Sequence, residues 1–246
     1  MKKTILLTFN ILLISNFCLC QESGIVSYTV TSDWTKMMAT CDYLSKAEKE
    51  RSAYTWGGRT FERKAELKFN AGEYRFEYQD DNEGSTYQWR REEYIIYRDR
   101  ENEESTDIMT ILDKQYVLKD SVVCQNWKIL NDMKEVAGRI CMNASWYDSI
   151  KKKEVIAWFA LDLPIPLGPN RYCGLPGMIL EINEANGAVV YTATTILLPE
   201  ENVEIEKPVY KKKTKVIDYT MYDKIISDHI AQSKKMQRPY FWSIGF

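Results

Sequence analysis

Histidine is nearly missing from this chain: among 246 residues there is one, His229. That removes the usual agent of acid–base catalysis near neutral pH and the commonest metal ligand. On a C-terminal helix, His229 reads as a surface or half-buried residue. Neither His-Glu-x-x-His nor Gly-x-Ser-x-Gly occurs. A phosphate loop at Gly174 to Gly177 is the rival to a structural turn, but it lacks the Lys and Ser/Thr that such a loop requires. Long apolar runs are lacking too. Past residue 13 none approaches the roughly 20 residues a membrane-spanning helix needs. A charge excess is also lacking, with 33 basic and 35 acidic side chains. Nucleic acid and an anionic membrane surface are therefore not obvious partners. Proline is sparse, and four of the seven prolines crowd into residues 157–198.

What is present begins with a leader. Met1-Lys2-Lys3, an apolar run from Ile5 to Leu13 and Ser15 to Cys20 read as a signal peptide over 1–20. Cleavage would leave Gln21 first and a single domain over 21–246. Lys2 and Lys3 leave with the leader, so 31 basic side chains face 35 acidic ones, a balance of −4. The alternative is a lipoprotein signal at Cys18 or Cys20. Phe17 and Leu19 stand where such a signal wants a small residue, so export to the periplasm or medium is the expectation. The protein would be peripheral to a membrane at most.

The chain is organised around residues 157–198. Residues 155–159 read as a buried strand. Pro164, Pro166 and Pro169 make 161–171 a stiff extended loop, bent at Gly168-Pro169. Leu175-Pro176-Gly177-Met178 fits a type II turn with positive φ at Gly177. Asn186-Gly187 joins two strands as a hairpin. Upstream, 24–32 reads as the first strand and 40–52 as a short exposed helix. Strand pairs follow at 65–69 with 74–78, 86–91 with 94–99, and 108–112 with 115–118, with a polar turn at 80–85 and a mobile charged loop at 100–106. Residues 122–129 and 137–144 read as neighbouring strands, with Trp127 a buried anchor. Residues 218–232 read as a helix with a capping box at Thr220 to Asp223. The aromatic tail 238–246 alternates like a strand and suits either docking on the domain or contact with a partner. The fold class is mainly β (α+β): a curved antiparallel sheet or half-open barrel with one helix in the N-terminal region and one at the C-terminus.

Four cysteines follow the leader, an even number that argues for disulfides in an exported chain. The preferred pairing is Cys124 with Cys141, on adjacent strands, and Cys41 with Cys173. A metal site is the rival, but paired Cys-x-x-Cys units are missing.

Gly174-Leu175-Pro176-Gly177-Met178-Ile179 resembles the signature of the GLPGLI family of exported Bacteroidota proteins. Trp127, Gly138 before Cys141, Trp158, Pro164, Gly168 and Pro169 stand in that family's order and rough spacing. Met178 replaces the usual Leu, a volume-conserving change. The resemblance spans about 25–198. It implies an exported β-rich protein and supplies no reaction, cofactor or catalytic residue. Asp120-Ser121-Val122 and Asp148-Ser149-Ile150 are similar to a Bacteroidota O-glycosylation sequon.

Three functions are expected from these readings. The first is a non-enzymatic envelope protein that takes an apolar ligand or partner peptide on a concave aromatic face. The second is an accessory of an outer-membrane receptor or transporter, with the tail and proline loop as contacts. The third is a hydrolase using carboxylates such as Asp162 and Glu181.

Overall fold

A computed structural model describes residues 23–56, 60–79, 93–242 and 244. The leader, Gln21, Gly57-Gly58, the turn at 80–85, the strand at 86–91 and most of 243–246 lie outside the described residues. The strands are β1 (Gly24–Asp33), β2 (Thr60–Phe69), β3 (Glu73–Tyr78), β4 (Ile95–Asp99), β5 (Glu104–Ile111), β6 (Lys114–Ser121), β7 (Lys128–Val136), β8 (Arg139–Asp148), β9 (Lys153–Ala160), β10 (Met178–Glu184), β11 (Val189–Leu197) and β12 (Lys215–Ile217). They form one open, curved sheet ordered β12-β6-β5-β4-β3-β2-β1-β11-β10-β9-β8-β7.

Two meanders therefore meet at β1, which pairs with β2 on one side and β11 on the other, both antiparallel. Only β12 runs parallel to its neighbour, β6. The alternation in β1 is what a half-buried strand requires. Val26, Tyr28 and Val30 are buried, while Ile25, Ser27 and Thr29 are half-buried. Tyr28 reaches across the core and donates its hydroxyl to the carbonyl of Ile179 at 2.8 Å.

Tight turns keep the register. At β2–β3 the Asn70 carboxamide oxygen accepts from the amides of Gly72 and Glu73 at 3.0 and 2.7 Å, an Asx turn. At β7–β8 Ala137 and Gly138 both take positive φ, as a two-residue hairpin of this hand requires. Leu112 and Asp113 do the same at β5–β6 without glycine.

Several expectations are corrected. A short helix that was not expected, α1 (Trp34–Ala39), precedes the one expected at 40–52, which starts only at Lys46 as α2 (Lys46–Trp56). Asp33 caps the first, accepting from the Lys36 amide at 3.1 Å. Ser45 and Glu48 form a reciprocal capping box on the second. The buried side chains Met37, Met38, Cys41 and Leu44 hold the pair on the sheet. The charged loop at 100–106 is shorter, because β5 already begins at Glu104 and pairs with Asp99 and Ser121. Residues 122–127 are not a strand: the ladder resumes only at Lys128. Helix α3 (Tyr219–Lys235) is capped by Asp218, which accepts from the Met221 amide at 2.7 Å, rather than by Thr220.

The tail folds as a 3-10 turn, Tyr240–Trp242, not as a strand. Tyr240 and Phe241 are buried, and Phe241 meets the edge of Trp34 with ring centroids 5.3 Å apart. His229 is buried more deeply than its helical position suggested, and its Nε2 lies 2.9 Å from the Tyr240 carbonyl. A carbonyl only accepts, so Nε2 carries the proton. Burial lowers the pKa of this imidazole, which keeps it neutral against the tail. Between β11 and β12 the chain crosses the outer face. There Ile205 and Tyr210 pack on Ile95, Tyr97, Ile108 and Val117.

Candidate functional site

The sheet's curvature, α1, α3 and the tail enclose a cavity of about 1090 Å³. Its walls carry aromatic side chains from many elements, among them Trp34, Phe61, Tyr78, Trp146, Tyr191 and Phe241. Such a concave apolar surface with a few polar groups is the ordinary form of a small-ligand site. Two places contribute a cluster of polar groups each. One is the turn between β8 and β9, with Asp148, Ser149 and Lys151. The other is the proline loop, with Asn170, Arg171 and Tyr172.

A network of hydroxyls organises one wall. Tyr94 donates to the Asn170 side-chain oxygen at 2.7 Å, and the Asn170 side-chain nitrogen donates to the Tyr191 hydroxyl at 3.1 Å. The Tyr78 and Tyr191 hydroxyls lie 3.3 Å apart. Burial raises the pKa values of Tyr94 and Tyr191, so both stay neutral donors. On the neighbouring strand β10, Glu184 pairs with Lys153 and accepts from the Tyr172 hydroxyl at 2.7 Å.

The disulfide explains how the loop is held. It joins Cys124 to Cys173, with Cα atoms 5.1 Å apart, while Cys41 and Cys141 are free and buried. Both expected pairings are therefore wrong. The reason lies in the elements. Cys141 sits within β8, whereas Cys124 belongs to the crossing segment before β7 and reaches the proline loop instead. Cys41 is held between α1 and α2. Burial raises the Cys41 thiol and raises Cys141 to about 11, so both are poor nucleophiles. Neighbouring residues reinforce the clamp. Gln125 accepts from the Cys173 amide at 3.1 Å and donates to the Arg171 carbonyl at 3.2 Å. The Trp127 indole donates to the Cys173 carbonyl at 2.8 Å.

The glycines of the signature are structural. Gly174, not Gly177, takes positive φ, so 175–178 is not the expected type II turn. Gly177 is required for another reason: a Cβ there would lie 2.1 Å from the Ala160 carbonyl oxygen. At Gly168 it would lie 2.7 Å from Ile179 Cβ. Leu175, Met178 and Ile179 are buried beneath the loop, and Pro164, Pro166 and Pro169 shape it. We expect Gly177→Ala to destabilise the fold by about 2 kcal/mol or more, because backbone has to move to admit the methyl. Urea unfolding checks this, and a loss below about 0.5 kcal/mol contradicts it.

Asp162, Glu181 and Trp158 fall outside the cavity lining. Asp162 pairs with Arg139, and Glu181 with Lys134 at 2.6 Å. Trp158 lies under the Lys134 ammonium, 4.4 Å from the ring centroid. The two sequon aspartates hold backbone: Asp120 accepts from the Tyr219 amide, and Asp148 from those of Ile150 and Lys151. Among the described residues no cluster of metal-ligating side chains occurs, and no helix is long and apolar enough to cross a membrane.

A family model described as "Protein of unknown function (Porph_ging)" matches residues 25–181. No curated protein matches the sequence. Two solved structures of PNGF-II, in space groups C2 and P21, are similar in fold, with TM-scores of 0.52 and 0.51 at 13% and 12% identity. Each alignment covers 83% of this chain but only 32% and 33% of the PNGF-II chains. The chain thus spans about a third of those structures' length, and the likeness concerns the fold alone.

Proposed function

The chain belongs to the Porph_ging family of proteins of unknown function, and from that premise we propose that it is an exported binding protein of the cell envelope. The sheet's concave face takes the apolar part of a ligand. The observation that carries this reading is the aromatic-walled cavity of about 1090 Å³, large enough for a drug-sized or lipid-sized molecule. The leader over 1–20 supports export, and the motif from Gly174 to Ile179 supports the narrower GLPGLI assignment. No catalytic role is proposed for Asp162 or Glu181.

The test is a titration with dodecanol, followed by tryptophan fluorescence, since Trp34 and Trp146 line the cavity. A saturable change with one equivalent bound is the expected result. A chain whose fluorescence changes only in proportion to added ligand, without saturation, has no such site.

A second reading, as a partner of another envelope protein, draws on one observation. Ile129, Met133, Ile140 and Tyr147 are exposed on the β7–β8 edge. The aromatic tail does not serve it, because Tyr240 and Phe241 are buried in the protein's own core.

A further inference from the structure

Two half-buried cations of the aromatic cavity, Lys151 and Arg171, contact no carboxylate. Lys151 projects from the β8–β9 turn and Arg171 from the clamped proline loop, so the two come from different elements, on either side of β9. The two fully buried cations of this region are matched, and Arg63 is exposed. Lys153 pairs with Glu184, and Arg98 pairs with Asp107. Arg63 lies over the Tyr78 ring, 3.9 Å from its centroid.

Arg171 donates to the Tyr222 hydroxyl at 3.0 Å, and its guanidinium stands 4.5 Å from the centroid of that ring and 5.6 Å from that of Tyr219. Among the described residues it makes no ion pair, and the Lys151 ammonium has neither hydrogen bond nor ion pair. Burial pulls the Lys151 pKa down, with Glu184 opposing. A desolvated cation without a hydrogen-bonded counter-charge is costly, and proteins normally match one.

Carboxylates also line the cavity, and their engagements matter. Glu184 is taken by Lys153 and Tyr172, Asp148 by two backbone amides, and Asp120 by those of Tyr219 and Ser121. Asp223 stands near Arg171 without pairing, and burial raises its pKa, which weakens it as a counter-charge. Lys151 and the remaining donors of Arg171 are thus cationic groups inside the cavity that the cavity's paired carboxylates do not reach.

We propose that Arg171 and Lys151 form the head-group subsite of an amphipathic anion, whose acidic group (a carboxylate or phosphate) sits between them and whose apolar body lies against the aromatic walls. This rests on the cavity reading above and specifies its ligand class. Arginine suits the role because its planar donors match a carboxylate or phosphate in two-point contact. The Gln125–Arg171 backbone bond and the disulfide fix the loop that presents it.

The experiment compares dodecanoate with dodecanol, which share the apolar body and differ in the head. Both are titrated against the wild-type chain and against Arg171→Gln and Lys151→Gln. The readout is the ratio of the two affinities. In the wild type the acid should bind about tenfold tighter or more, as charge-assisted hydrogen bonds imply. Either substitution should cut that ratio several-fold, and the double variant should bring it near unity. Equal binding of acid and alcohol by the wild type overturns the head-group assignment while leaving the cavity reading intact. So does a preference for the acid that survives both substitutions. Saturable binding of neither compound overturns both. Near-UV circular dichroism identifies a variant that has lost its fold. The Lys151 variant keeps the test open if the Arg171 one does, because Lys151 lies on a different element.

Discussion

Replacing Cys124 and Cys173 by serine is expected to lower the unfolding free energy by about 4 kcal/mol and to weaken binding in the cavity. The bond closes a loop of 49 residues in sequence. On the chain-entropy argument, cross-linking a loop of that length restrains the unfolded chain by about 4 kcal/mol. The second effect is local. Residues 122–127 belong to no ladder, and what fixes them to the proline loop is the disulfide, the two Gln125 bonds and the Trp127 indole bond. Trp127 also meets Trp146 and Tyr172, with ring centroids 6.3 and 6.1 Å apart. Loss of the covalent link should let the loop carrying Asn170, Arg171 and Tyr172 withdraw from the cavity wall. Urea unfolding of wild type with and without reductant, beside the double serine variant, measures the first effect. Dodecanol titration measures the second. Reduced wild type should match the variant, because Cys41 and Cys141 hold no bond to lose. A loss below about 1 kcal/mol would mean that the prolines and the packing of Leu175, Met178 and Ile179 fix the loop unaided.

The sheet was legible wherever burial imposed alternation. β1, the β2–β3 hairpin at Asn70 and the β10–β11 hairpin at Asn186-Gly187 fall where period-two patterns and turn residues place them. The β5–β6 pair was read as well, although its turn uses Leu112 and Asp113 at positive φ and carries no glycine to mark it. Helix α1 went unread and the expected helix began too early, because the start of α2 is not marked by a glycine or proline. It is a capped restart, for which Ser45-x-x-Glu48 was the available signal. The disulfide was not legible. Pairing depends on which segments cross in space, and 122–127 looked like a strand by composition while having no neighbour to pair with.

The cavity was legible only as a surplus of aromatics. The two half-buried cations in its lining come from a loop and a turn that meet only in the folded chain. Neither Arg171 nor Lys151 carries a local pattern that sets it apart. The signature glycines were recognised but misread. Gly177 is required by its contact with the Ala160 carbonyl, not by its own φ, and such contact is invisible before the strands are placed.

Substituting Asp107 by alanine should be the most damaging single change in the sheet, costing about 3–5 kcal/mol. Asp107 and Arg98 are 0% and 4% exposed in their side chains, on neighbouring strands β5 and β4. Removing one partner leaves the other buried and charged, and arginine does not escape by losing its proton. The pair also anchors α3. The Tyr219 hydroxyl donates to Asp107 at 2.9 Å and accepts from Arg98 at 2.9 Å. Helix α3 supplies Tyr219, Tyr222 and Ile226 to the cavity, so the alanine variant should also lose affinity for dodecanol. The double substitution Asp107→Leu with Arg98→Met separates charge from shape. It removes both charges together, and buried ion pairs replaced in this way often cost little or nothing. The expected order of stability places the double variant above Asp107→Ala, with a coupling of about 2 kcal/mol or more in a double-mutant cycle. An additive cycle would mean that water reaches Arg98 once the carboxylate is gone, and that the Tyr219 contact, not the ion pair, holds α3 to the sheet.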